Sequence, residues 1–205
     1  MDFPRAIKLG GFFYEVRRVP VVSKKERLRG QCNPAGGVIL VADWQPEPMQ
    51  RETLVHEVLH ACEIAAGLEL PEDTVQRLGR GLFAILRDNP PLFAPVPGWK
   101  CPDVLRVGGM TYQIKLVPVV DEEDSHSWLK PTELEILIDS EIHPSRQQEC
   151  LAFCLVDAAA DLMWLDLDIK AKEVLGRWLL AALIDNPGLV GETEVTGNAQ
   201  ASAHT

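Results

Sequence analysis

Long apolar runs, a paired-cysteine framework and a basic excess are all missing from this chain, and each absence closes off a class of protein. No run approaches the roughly 20 apolar residues that a membrane-crossing helix needs. The first residues, Met1-Asp2-Phe3-Pro4-Arg5, hold no apolar signal core. The cysteines (Cys32, Cys62, Cys101, Cys150 and Cys154) are odd in number and follow no disulfide pattern, which favours a reducing compartment. Cytoplasmic residence is the expectation. Residues 1–98 hold 12 acidic and 12 basic side chains, so the whole net charge of −10 sits in residues 99–205, with 18 acidic and 8 basic. Direct binding of a phosphate backbone by that half is therefore not expected. Its acidic surface either keeps the protein dissolved or docks on a basic partner protein. Apolar content of 46% and charged content of 24% belong to a globular protein, and 205 residues suffice for two domains of about a hundred each.

What the chain does have is the run His56-Glu57-Val58-Leu59-His60. On a helix, residues four apart share a face about one turn from each other. Two imidazoles so placed converge on one Zn²⁺ at about 2.0–2.1 Å each. Glu57 then lies beside the first ligand, within reach of a zinc-bound water whose pKa falls to roughly 7. Chance can also produce such a run, with both histidines merely hydrogen-bonded in an interior. Three features weigh against chance. Leu54, Val55, Val58, Leu59, Ala61 and Cys62 are apolar nearly all round, as in a buried helix. Two histidines and a glutamate are costly there unless paired or metal-bound. Pro46 and Pro48 ahead and Gly67 behind mark the helix ends.

A third protein ligand is required. Six residues after His60 stands Ala66, which excludes the metzincin pattern, and His126, His143 and His204 lie far along the chain. Glu63, Glu69, Glu72 and Asp73 are the nearby carboxylates. Val75, Leu78, Leu82, Ile85 and Leu86 give residues 72–87 a helical period, with Glu72 three before Val75 on the core-facing side. Glu72 is the leading ligand, while Asp73 and Glu63 stay open. A first-turn glutamate also suits the helix dipole without any metal.

Thr53-Leu54-Val55-His56-Glu57-Val58-Leu59-His60-Ala61, then Glu72-Asp73-Thr74-Val75-Gln76-Arg77-Leu78 and Asp88-Asn89-Pro90, resemble small zincin-type proteins of phages and prophages. These are similar to the ImmA/IrrE-type metallopeptidases. Gly10-Gly11 leading into Tyr14-Glu15-Val16 resembles their opening hairpin, and the likeness covers roughly residues 6 to 90. It implies a glutamate from a second helix on the metal, three residues before a core apolar residue, which matches Glu72 and Val75.

The rest of the chain repeats the first half. Residues 9–22 match residues 107–120 at an offset of 98, through Gly10-Gly11 and Gly108-Gly109, Tyr14 and Tyr112, and Val19-Pro20-Val21-Val22 and Val117-Pro118-Val119-Val120. Asp88-Asn89-Pro90 returns as Asp185-Asn186-Pro187 at an offset of 97, as do Glu52 as Glu149 and Leu78-Gly79 as Leu175-Gly176. By that offset His56, Glu57, His60 and Glu72 fall on Phe153, Cys154, Asp157 and Ile169. The second copy reads as a dead site filled with apolar bulk. Cys150, Cys154, Asp157 and Asp161 recur at helical spacing, but small buried cysteines are their ordinary reading.

Each copy reads as α+β: a short antiparallel sheet followed by two helices. Strands are expected near 6–9, 12–19 and 37–43, helices near 48–66 and 72–88, and the second copy repeats them. The domains are then 1–90, a zincin-like unit with the His-Glu-x-x-His motif, and 103–190, a degenerate one. Pro90, Pro91, Pro95, Pro97 and Gly98 mark a linker over 91–102, and a small polar tail over 191–205 is expected to be disordered. The two copies are expected to pack on each other as a pseudo-dimer. Lys24-Lys25-Glu26-Arg27-Leu28-Arg29-Gly30 is a basic loop, and its counterpart Asp121-Glu122-Glu123-Asp124 is acidic.

The function expected is zinc-dependent peptide hydrolysis, with His56, His60 and Glu72 on Zn²⁺ and Glu57 as general base. Residues 38–43 are the expected edge strand for an extended substrate, and Tyr14, Arg77 and Arg80 are oxyanion candidates. The alternative is a non-catalytic zinc-containing protein that binds a host or phage protein through its acidic half. Its metal site would be closed by a fourth ligand, with Cys62 or Glu63 in that place.

Overall fold

The computed structural model describes residues 3–89, 92–95, 98–120 and 125–190. Pro90, Pro91, Pro97, the acidic run at 121–124 and the expected tail at 191–205 lie outside them. The first copy runs β1 (Ala6–Leu9), β2 (Phe12–Val19), β3 (Gly30–Asn33), β4 (Val38–Ala42), α1 (Glu47–Ala66) and α2 (Glu72–Asp88). The second runs β5 (Val104–Val107), β6 (Met110–Val117), β7 (Ser127–Lys130), β8 (Glu135–Asp139), α3 (Pro144–Leu162) and α4 (Ile169–Asp185). The architecture is α+β, two four-stranded sheets each followed by two helices. Among the described residues no helix is long and apolar enough to cross a membrane.

Alternation sets the sheet faces. Ile7, Leu9, Tyr14, Val16, Ile39 and Val41 are buried on one side, while Phe13, Glu15 and Arg17 point outward. The Gly10 and Gly108 turns, at φ 57 and 56, close the β1–β2 and β5–β6 hairpins. The sheets are mixed, not antiparallel throughout. The strand order is β1-β2-β4-β3, with β2 and β4 parallel (Val16 beside Ile39) and β3 antiparallel to β4. The second sheet repeats this order as β5-β6-β8-β7. The physical reason is the extra strand. β3 reverses direction before β4, so β4 returns in the same sense as β2. Residues 38–43 are therefore interior in the sheet, and the free edge on that side belongs to β3.

The helix ends follow local chemistry. Pro46 precedes the first turn of α1, and Gly67 at φ 66 returns the chain, with hydrogen bonds from Gly67 N to Ile64 O and from Leu68 N to Glu63 O. The second copy makes the same two bonds from Trp164 N and Leu165 N, but with Trp164 in the left-handed region at φ 55. A bulky residue pays about 1–2 kcal/mol for that conformation. Arg77 Nη2, from α2 of the first copy, donates to the Met163 and Trp164 carbonyls and supports this turn.

The two copies share one continuous hydrophobic core. α2 packs on α3 and β5, and α4 packs on α1 and β1, so each copy's second helix reaches the other copy's sheet. Gly81 of α2 lets α3 approach closely, since a Cβ there would lie 3.1 Å from Ala159 O. The repeated Asp-Asn-Pro triplets have a role here. Asn89 accepts from Arg106 N (2.7 Å) and donates to Arg106 O (2.6 Å) on β5. Asn186 accepts from Lys8 N (2.9 Å) and donates to Lys8 O (2.7 Å) on β1. Each amide pairs with a β-strand residue as a further strand would. Asn89→Ala and Asn186→Ala are each expected to lower the unfolding free energy by about 1–2 kcal/mol. Urea denaturation checks this, and a change of a few tenths would reject the role.

Candidate metal centre

α1 and α2 bring the predicted residues together. His56 and His60 lie one turn apart on α1, with ring centroids 4.7 Å apart and planes at 86°. Glu72, the first residue of α2, reaches across to both: Oε1 is 3.3 Å from His56 Nε2, and Oε2 is 3.1 Å from His60 Nε2. Two ligands at tetrahedral angles on an ion 2.0–2.1 Å away sit about 3.3 Å apart, so the spacing suits one small cation. Ligand atoms of all three residues lie within 4.8 Å of one another, close enough to bind a metal ion. Among the described residues they form the one such group.

Gly79 lies where α2 meets α1. A Cβ there would touch His56 Cα at 3.4 Å, an ordinary van der Waals contact, so the helices are already as close as a small side chain allows. Gly176, its counterpart, is the tighter position: a Cβ there would lie 3.0–3.1 Å from Phe153 backbone atoms. The orientation of Glu72 differs from expectation. Its side chain is 69% exposed and does not face the core, and its counterpart Ile169 is also exposed. Residue 72 is at the helix start, where the side chain projects past the first turn, so the core period of α2 does not govern it.

Glu63 does not compete for the metal. Its Oε2 is 3.1 Å from His60 Nδ1, and its Oε1 accepts from Leu70 N. A carboxylate only accepts, so Nδ1 carries the proton and Nε2 keeps its lone pair for the cation side. Asp73 pairs with Arg77 at 3.6 Å. Cys62 is fully buried in the core, where burial drives its thiol pKa upward. His56 Nδ1 is buried without a partner at good hydrogen-bond geometry. Burial and the adjacent His60 push the His56 pKa down, with Glu72 and the Val75 backbone opposing, so the ring stays neutral as a ligand must be.

Glu57 sits beside this group, its Oε1 4.0 Å from His56 Nε2. Burial pushes its carboxyl up to about 8, with a hydrogen bond from Cys32 N opposing and the Glu72 charge adding to the rise. β3 forms its seat. A Cβ on Gly30 would come within 2.4 Å of Glu57 Oε1 and 2.6 Å of Thr53 Cγ2. Neither Gly30 nor Cys32 was visible as a site residue, because a four-residue strand reading Gly-Gln-Cys-Asn carries no apolar alternation.

The group opens into a cleft of about 320 Å³ bordered by Arg27, Arg29, Gly30, Glu52, Gln76 and Arg80. Of the oxyanion candidates, only Arg80 is there, 3.4 Å from Glu52. Tyr14 is buried in the core, and Arg77 is engaged at the α3 end. The second copy keeps a cleft of about 400 Å³ in the same place, without a metal-binding group among the described residues. Phe153 replaces His56, Ile169 replaces Glu72, and Asp157, in the place of His60, is bound to Lys172 Nζ at 2.6 Å. Compared with known protein families, curated proteins and solved structures, the chain finds no match.

Proposed function

We propose that this chain is a zinc-dependent peptide hydrolase of the zincin kind that its first half resembles. One observation carries the reading: two imidazole Nε2 atoms and a carboxylate from a second helix converge at 3.1–3.3 Å, with a buried glutamate at their side. His56, His60 and Glu72 would hold the zinc. When bound, zinc supplies the Lewis acidity that acidifies a water, polarises a carbonyl and favours the ionised form of a neighbouring carboxyl.

The protein's own groups do the rest. Glu63 holds the His60 ring through Nδ1, and Glu72 reaches both rings from the start of α2. Glu57 takes a proton from water at its carboxylate oxygen and hands it to the leaving amine nitrogen. Its seat against Gly30 and the N–H of Cys32 holds that oxygen in place. β3, the outermost strand on that side, receives the substrate as an added strand through the edge groups that Glu57 does not occupy. The alternative of a closed, structural metal site has little support, because Cys62 is in the core and both Glu63 oxygens are engaged.

The test is metal content joined to turnover. Purified protein is expected to bind one zinc per chain and to lose it in His56→Ala and His60→Ala. Zinc-loaded protein is expected to cut members of a proteome-derived peptide library, a chelator to stop it, and added zinc to restore it. Zinc-loaded protein that cuts no peptide would remove the hydrolase reading.

A further inference from the structure

The two clefts are the same cleft twice, so what differs between them beyond the metal ligands points to what the metal-bearing one accepts. Arg80 beside Glu52 at 3.4 Å is repeated as Arg177 beside Glu149 at 3.8 Å. This pair belongs to the shared scaffold and tells nothing about substrate. The loop leading into β3 is different. Lys24-Lys25-Glu26-Arg27-Leu28-Arg29 stands where the second copy has Asp121-Glu122-Glu123-Asp124-Ser125-His126. Arg27 and Arg29 border the cleft that holds His56, Glu57 and Glu72, and both are exposed. Neither has an ion-pair partner among the described residues.

The loop is anchored at both ends. Arg29 O accepts from Ala42 N at 2.8 Å and from Gln45 Nε2 at 3.2 Å. Ser23 Oγ accepts from Lys25 N and Glu26 N. The two cationic side chains therefore start from fixed backbone, next to the strand edge where an extended substrate would lie. Unpaired guanidinium groups at a cleft mouth act over a Debye length of about 8–10 Å. That is the span of two or three residues of an extended peptide. Guanidinium also pairs with carboxylates in a two-pronged geometry that lysine cannot reproduce.

We propose that Arg27 and Arg29 form an acidic-residue subsite, so that the metal-bearing cleft takes peptides with Asp or Glu within about three residues of the reacting bond. Turnover of such peptides rests on the peptide-hydrolase reading; their binding does not. The counterpart loop in the second copy carries the opposite charge in the sequence, so the preference belongs to the metal-bearing half alone.

Two measurements test it. In the first, zinc-loaded wild-type protein and Arg27→Glu/Arg29→Glu, matched for zinc content, digest the same proteome-derived peptide library. Acidic residues are expected to be enriched near the cut by roughly tenfold over basic ones, and the variant to lose or reverse this. Cutting without a charge preference overturns the subsite and leaves the hydrolase reading intact. In the second, fluorescent decapeptides rich in Glu or in Lys are titrated into zinc-loaded Glu57→Gln, with and without the two arginine changes. The Glu-rich peptide is expected to bind roughly tenfold tighter than the Lys-rich one, with the gap closing in 1 M salt or in the charge-reversed protein. Equal binding overturns the subsite. If no peptide is cut but the Glu-rich one still binds through Arg27 and Arg29, the hydrolase reading falls and the acidic-ligand site stands.

Discussion

Glu57→Gln is expected to lower kcat for peptide hydrolysis by a factor of about 10²–10⁴ while leaving zinc content at its wild-type level. The size of the fall follows from the role: an amide of the same shape accepts a hydrogen bond but cannot take a proton. Zinc content is unaffected because the ligand atoms belong to His56, His60 and Glu72, and Glu57 Oε1 stands 4.0 Å from His56 Nε2. The amide oxygen still accepts from Cys32 N, so the Gly30 seat stays filled. The same substitution has a second, independent signature in metal-free protein. The folded carboxyl titrates near 8 against about 4.5 when unfolded, so the folded state holds the proton through that interval. Stability from the neutral form is complete below about pH 4.5 and is lost as pH rises towards 8. Glutamine has no such loss. Urea denaturation of the metal-free pair at pH 5 and pH 8 is therefore expected to show a smaller decline in the variant. The groups that face Glu57, His56 and Glu72 among them, are the same in both proteins, so the comparison of the two reads the change at Glu57. Full turnover in Glu57→Gln would reject its role as base, and equal pH slopes would reject its burial as the protonated acid.

The helices were legible because their signals are local. Apolar period, prolines ahead and Gly67 behind place α1 and α2 within a residue of their observed bounds. The edge strands were not. Gly30–Asn33 and Ser127–Lys130 are four residues long, and one of them carries three polar or glycine positions out of four. Missing them hid the parallel pairing of β2 with β4, and so placed the substrate edge on residues 38–43. The histidine pair was legible as spacing, since four residues on a helix fix two imidazoles on one face whatever the rest does. Glu72 does lie with the two histidines, close enough to share a metal ion, but not for the reason its spacing suggested. It reaches the histidines from the solvent side of a helix start, as its 69% exposure shows. The Asp-Asn-Pro triplets were visible only as a repeat. Their amides act on the other copy's sheet, a contact that no local pattern encodes.

Residues 1–95 produced alone are expected to lack a cooperative thermal transition as a monomer. α1 is buried on most of its circumference, from Gln50 and Thr53 through Val58 and Leu59 to Cys62 and Glu63. Its own sheet and α2 cover part of that surface, and α4 covers the remainder. α2 likewise gives one side to α1 and another to α3 and β5. Exposing a buried Leu or Phe costs about 1.5–3 kcal/mol, and a whole domain is stable by only about 5–15. A few such side chains uncovered along two helices are enough to unfold the half. The amide pairing of Asn186 with Lys8 and the Lys8–Asp185 ion pair at 3.1 Å are lost at the same time. The uncovered surface was shaped by a near-copy of itself, so the surviving folded form is expected to be a self-associated dimer. Circular dichroism melts with light scattering distinguish the cases. A monomeric half that melts cooperatively near the temperature of the full chain would mean that the second copy contributes nothing to the fold of the first. The metal centre makes the outcome functional as well, because Glu72 meets His56 and His60 only where α2 is held against α1. Zinc affinity is therefore expected to fall at least tenfold in the separated half, and to return when residues 99–190 are supplied in trans.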